Sequence, residues 1–115
     1  MTTTDFSIRG RKGIGVVPPV DPNNQDTSVL IGSVDISINK AWTARAFNIP
    51  TKDLGEDSPP GQDFYGITAS NEGKVMVFAG GIPLTRDGHV VGAVGVSGGI
   101  GAQDQEVAEA AAEAF

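Results

Sequence analysis

The sequence predicts a single α+β domain in which helices flank an antiparallel sheet, and three observations point to it. Apolar residues recur at spacings of three and four over two stretches, Ser33 to Phe47 and Gln103 to Phe115, as in helices with one buried face. Between them, from Phe64 to Ser97, short apolar runs are separated by reversals rich in Asn, Asp and Gly, as in strands joined by hairpins. At 115 residues the chain buries roughly two-thirds of its unfolded surface, enough for one core but not for two.

Residues 1–28 carry Gly10, Gly13, Gly15, Pro18, Pro19 and Pro22 among polar residues, a composition too poor in apolar surface to offset the entropy of ordering. They read as an N-terminal arm, with residues 29–115 as the folded domain. Within the arm, Ile14 to Val17 suits at most a short edge strand, because two prolines follow it directly. The first helix is expected from Ser33 to Phe47, with Val34, Ile38, Ala41, Trp42 and the stem of Arg45 on its inner face. Ser33 is its N-cap, Asp35 adds favourable charge in the first turn, and Pro50 stops it. Thr51 to Asp63, acidic and holding Gly55, Pro59, Pro60 and Gly61, reads as a turn of helix followed by a loop. Phe64–Ala69 and Lys74–Ala79 are expected as a hairpin about Ser70-Asn71-Glu72-Gly73. Arg86-Asp87-Gly88 marks a second reversal between Ile82-Pro83-Leu84 and the run His89–Ser97, whose two faces are both apolar enough to be covered. The alanine-rich segment from about Gln103 to Phe115 closes the fold as a helix, with Val107, Ala111, Ala114 and Phe115 opposite Glu106, Glu109 and Glu113.

Charge and composition narrow the functional classes. Fourteen acidic against eight basic residues give a formal charge of −6, which repels a phosphate backbone, so no nucleic-acid partner is expected. The basic cluster Arg9, Arg11 and Lys12 reads as a solvated arm. The absence of cysteine removes disulfides, thiolate metal sites and thiol nucleophiles. Met1 to Ser7 lacks the pattern of a secretory signal and no apolar run is long enough to span a bilayer, so no membrane partner and a cytoplasmic location are expected.

Eight of the 16 glycines fall between Gly80 and Gly101, a density with two readings. Glycines allow a helix to lie close on a strand. Alternatively, Gly95-Val96-Ser97-Gly98-Gly99, leading into a helix, offers backbone N–H groups and a hydroxyl to an anion. The run is neither a P-loop nor a dinucleotide fingerprint, and Val96-Ser97-Gly98 lacks the first glycine of a nucleophile elbow. His89, the only histidine, follows a turn and reads as exposed; no metal site is expected from scattered carboxylates. Lys40 either extends its ammonium to solvent or turns it into a cleft, and Trp42 reads as core.

Two runs carry a resemblance. Asn39-Lys40-Ala41-Trp42-Thr43-Ala44-Arg45-Ala46-Phe47, followed by Thr51 and Leu54, and Gly80-Gly81-Ile82-Pro83-Leu84-Thr85-Arg86-Asp87-Gly88-His89-Val90-Val91-Gly92-Ala93-Val94-Gly95-Val96-Ser97-Gly98-Gly99, with Gln103-Asp104 opening the last helix, resemble the GlcG/HbpS family, the haem-degrading or PduO C-terminal-like domain. The resemblance covers residues from about 28 to 115. It implies a profilin-like three-layer α/β/α fold, an antiparallel sheet of about five strands, and oligomers. It also implies haem as the one cofactor to consider. Such chains usually begin with a helix and two strands that the arm replaces here, so a second chain, identical or different, is expected to complete the sheet.

The leading expectation is an oligomeric subunit that binds a small anionic metabolite between the lysine helix and the glycine loop. Lys40 balances the ligand's charge, Gly80, Gly81, Ser97, Gly98 and Gly99 supply donors and room, and Thr51 and Gln103 complete the lining. Asp104, with Lys40, is the candidate catalytic pair, Asp104 as general base, if the site is catalytic. The alternatives are a haem-binding accessory or redox-sensing protein, and a metal-independent acid/base lyase or isomerase subunit.

Overall fold

The computed structural model describes residues 2–8, 11–17 and 31–115. In chain order the elements are β1 (Thr2–Ile8), β2 (Arg11–Val17), α1 (Ile31–Phe47), α2 (Thr51–Glu56), two 3₁₀ turns at Ile67–Ala69 and Asn71–Gly73, β3 (Gly81–Arg86), β4 (His89–Val96) and α3 (Gly101–Glu113). The fold is α+β. The described residues hold one four-stranded sheet, ordered β1-β2-β4-β3, where about five strands are expected.

Two strands within residues 2–17 correct the reading of an arm with at most a short edge strand at Ile14 to Val17. β1 and β2 form an antiparallel hairpin, and β2 then pairs with β4 in parallel, Lys12 opposite Gly92 through Val16 opposite Val96. The sheet is therefore mixed, and this chain supplies the strand expected from a second one. β2 is interior rather than at the edge, since its ladder ends at Val17 and Pro18 follows it in sequence. Pairing on both sides overrides the poor strand propensity of Gly13 and Gly15. A parallel neighbour needs a long crossover, which α1 and the segments after it provide. The rest of the arm, residues 18–28, lies outside the described residues.

β3 and β4 form the predicted hairpin, with Arg86 opposite His89. Asp87 at φ 53° and Gly88 at φ 79° make the two-residue reversal, the backbone that matches the strands' twist. Between Leu84 and Thr85 the register shifts, leaving Val91 without a partner. Residues 92–96 of β4 are buried throughout, whereas His89 and Val91 at its start are exposed. Ala93 packs with Ala41 and Ala44 of α1. Val94 and Val96, alternating with it, pack with Leu84 and Ala108 of α3, so the pleat sets the two helices against opposite faces.

The phase of α1 differs from the expected apolar stripe. Its buried positions are Ser33, Ser37, Lys40, Ala41, Thr43 and Ala44, while Val34 is exposed and Trp42 only half-buried. Close approach explains the choice of small residues. A Cβ on Gly95 would fall onto the carbonyl of Ser37 and 2.5 Å from the Ala41 nitrogen, so the helix backbone lies almost on the strand. Ser33 sits inside the helix and bonds Ser97 rather than capping. Asn48 at φ 58° and then Pro50 end the helix, as left-handed Asn and a following Pro do.

No strand forms at Phe64–Ala69 or Lys74–Ala79, correcting the expected first hairpin. The reversal at Asn71-Glu72-Gly73 exists, with φ of 51°, 58° and 76°, but its flanks find other partners. Thr43 Oγ1 donates toward the carbonyls of Asn39 and Lys74 (2.7 and 3.2 Å) and accepts from the Met76 N–H at 3.0 Å. Thr51 Oγ1 donates to the Phe78 carbonyl at 2.7 Å. Threonine hydroxyls on the helices thus satisfy backbone groups that a ladder would otherwise take, while Val75 of the segment and Leu54 of α2 are buried.

Candidate functional site

Lys40 lies on the inner face of α1 where that helix passes the C-terminal end of β4, and it has no solvent exposure. Its Nζ donates to the Val96 carbonyl at 2.8 Å and to Asp104 Oδ2 at 3.1 Å. The face of the Phe78 ring lies 4.6 Å from the same nitrogen, close enough for cation–π attraction. Asp104, in the first turn of α3 and 4% exposed, also accepts from the Gly99 N–H through Oδ1 at 2.9 Å. Burial pushes the Lys40 ammonium below its ordinary 10.5, and the hydrogen bond and charge of Asp104 oppose that shift. Charge-assisted bonds on both groups are the condition under which a buried pair is tolerated.

The double glycine wraps this pair. Gly80 has φ 125°, and a Cβ there would stand 2.5 Å from the Val96 oxygen, 2.9 Å from Lys40 Nζ and 3.1 Å from Asp104 Cβ. Its N–H donates to Gln105 Oε1 at 3.1 Å, and its carbonyl accepts from the Val96 N–H at 2.9 Å. A Cβ on Gly81 would meet the Lys40 carbonyl and Thr51 Cγ2, both at 2.6 Å. The Gly81 N–H donates to Thr51 Oγ1 at 2.9 Å, so the Thr51 hydroxyl joins Gly81 to Phe78.

Lys40, Asp104, Thr51, Gly80, Gly81 and Gly99 therefore meet in one network. Gln103 borders it as the cap of α3, its Oε1 accepting from the Ile100 N–H at 3.1 Å. The Ser97 hydroxyl is buried against Ser33 Oγ at 2.8 Å, and Gly98, φ 113°, is exposed beyond it. The arrangement is closed: Lys40 and Asp104 spend their charges on each other, and the glycines leave room for them. It ties β3, β4 and both flanking helices at one point. Phe78 and Gln105 join the network without any mark in the sequence beyond Phe78's place two residues before the double glycine.

Among the described residues, a surface cleft of about 470 Å³ lies between α2 and α3, lined by Lys52, Ala79, Gly101, Ala102, Gln105, Glu106 and Glu109. None of the predicted binding residues lines it. Also among the described residues, no three of His, Cys, Asp and Glu come together as a metal-binding group, and no helix is long and apolar enough to cross a membrane. His89 is exposed at the start of β4, as expected for a residue after a turn.

Comparison with known proteins follows the same residues. A family described as "Haem degrading protein HbpS-like" matches residues 24–113. An uncharacterized 15.0 kDa protein from the dhaT-dhaS intergenic region of Citrobacter freundii is 41% identical over 86 residues, 75% of this chain and 61% of its own. The corrinoid adenosyltransferase PduO of Salmonella typhimurium is 37% identical over 106 residues, 87% of this chain and 32% of its own. Among solved structures, Klebsiella pneumoniae protein ORFY superposes with a TM-score of 0.73 at 40% identity, covering 75% of this chain and 59% of that one. A structure described as a PduOC:Heme complex gives 0.73 at 39% identity, covering 76% and 64%. The chain thus spans less than two-thirds of each of these relatives.

Proposed function

The chain belongs to the HbpS-like family, and from that premise we propose that it is a haem-binding subunit in which the Lys40–Asp104 network is the structural lock. The carrying observation is the likeness, at 39% identity and a TM-score of 0.73, to a relative solved as a haem complex. The side chains present fit haem in kind. An exposed imidazole, His89, is a common iron ligand when bound to haem. The cleft between α2 and α3 does not fit, because Glu106 and Glu109 in its wall would repel the propionates. Assembly with further copies of the chain, or with a different chain, belongs to the same reading; the outer edges of β1 and β3 are the surfaces open to such pairing.

The test is a titration of the full chain with haemin followed in the Soret region. Saturation at a fixed stoichiometry is expected; linear uptake without an endpoint overturns the reading. The small anionic metabolite remains the second reading, favoured by a buried cation beside a glycine-rich loop. Its ligand would have to displace Asp104 from Lys40, so it requires a rearrangement that haem docking at the surface does not.

A further inference from the structure

The cleft between α2 and α3 has no part in the Lys40 network, and its walls carry unlike charges. Lys52 stands on the α2 side, Glu106 and Glu109 on the α3 side. Among the described residues Lys52 and Glu106 make no ion pair, although both line the same cleft. On α3 the two carboxylates are three positions apart and so neighbours on one face of the helix, where like charges repel and an added cation relieves them. Glu109 is also held in place. Gln105 accepts from the Gly80 N–H through Oε1 and donates through Nε2 to Glu109 Oε1, both at 3.1 Å, so one side chain ties that carboxylate to the double glycine.

The floor is made of small residues. Ala79, Gly101 and Ala102 present nothing larger than a methyl group to a space of about 470 Å³, the size of a small-molecule site. Gly101 is the informative one. Packing requires Gly80, Gly81 and Gly95, since a Cβ on each would strike a backbone oxygen. A Cβ on Gly101 would meet only the Ala79 Cβ, at 3.8 Å, an ordinary contact, and its helical backbone suits any residue. Glycine in a helix costs backbone entropy, so the fold gives no reason for its presence at this position. An open cleft does.

We infer that this cleft is a binding site, distinct from the Lys40–Asp104 network, for a small linear amino acid whose ammonium and carboxylate stand at opposite ends. Glu106 and Glu109 take the ammonium, Lys52 takes the carboxylate, and Ala79, Gly101 and Ala102 take the methylene chain. A plain carboxylate would face two like charges, and a plain amine would face Lys52. A zwitterion meets an opposite charge on both walls. The inference does not rest on the haem reading, because the same carboxylates that accept an ammonium repel propionates.

The test follows backbone amide resonances of the full chain during titration with γ-aminobutyrate, against butyrate and butylamine, which have the same chain length and one charge each. Saturable shifts centred on Ala79, Gly101 and Ala102 are expected for γ-aminobutyrate, with each control about fivefold weaker, the worth of one exposed ion pair. Gly101→Leu, whose side chain enters the cleft rather than the core, is expected to abolish the shifts while its thermal unfolding matches the parent's. Glu106→Gln, at an exposed position, is expected to weaken γ-aminobutyrate about fivefold without weakening butyrate. No saturation with γ-aminobutyrate, equal binding of either control, or parent-like binding in either variant overturns the site. The haem reading is decided separately, by the haemin titration.

Discussion

Replacing Lys40 by methionine tests whether the ion pair is the lock of the fold. The substitution keeps an unbranched side chain of similar length but leaves Asp104 buried at 4% exposure with one remaining donor, the Gly99 N–H. Breaking a buried pair from one side costs about 3–5 kcal/mol, because the partner's charge stays desolvated and unpaired. A domain of this size has roughly 5–15 kcal/mol in all, so Lys40→Met removes a large share. Adding Asp104→Leu removes the orphaned charge, and the double variant is expected to recover most of the loss, since an apolar substitute for a buried pair is often neutral. Urea unfolding followed by far-UV circular dichroism reads each change from the midpoint at constant slope, with protomer concentration fixed because assembly shifts apparent stability. The reasoning is refuted if Lys40→Met costs under about 1 kcal/mol, or if the double variant loses the sum of the two single losses.

Two further outcomes follow from the same network. Burial holds the Lys40 ammonium below 10.5 in the fold, so between its folded value and 10.5 the unfolded chain binds more protons. Stability relative to the Lys40→Met/Asp104→Leu variant should therefore rise with pH through that alkaline window, and a flat difference in unfolding midpoint across it would contradict the shift. Gly95→Ala sets a methyl group against the backbone of α1 at Ser37 and Ala41 and is expected to cost about 1–3 kcal/mol by overpacking; thermal unfolding unchanged from the parent would show that the helix can withdraw.

The sequence carried some of this and hid the rest for physical reasons. The β3–β4 hairpin was legible because its turn chemistry is local: Asp87-Gly88 needs nothing beyond its own backbone to reverse the chain. The helices were legible as helices, but the rotation of α1 was not, because the face it buries is chosen by Gly95, more than fifty residues away. The segment 64–79 misleads for the same reason, since the hydroxyls of Thr43 and Thr51 that replace its ladder belong to other elements. β2 was the largest miss; glycine content says how weakly a segment prefers a strand, not whether neighbours wait on both sides. Lys40, Thr51, Gly80, Gly81, Gly99 and Asp104 could each be picked out singly. That Lys40 and Asp104 would choose each other is a long-range fact, since they stand 64 positions apart.

The parallel joint between β2 and β4 has a consequence for the order in which the molecule is made. Its partners are about 80 residues apart, and closing a loop of that length costs about 2–3 kcal/mol more than closing one of five residues. During synthesis the first hairpin leaves the ribosome long before its permanent neighbour exists. The compact β3–β4–α3 end, built from near contacts, is then the natural nucleus, with the first hairpin docking afterwards. Until it docks, two strands with free hydrogen-bonding edges must wait in the cell, so the newborn chain is at its most vulnerable to association through the very segment that later closes its sheet.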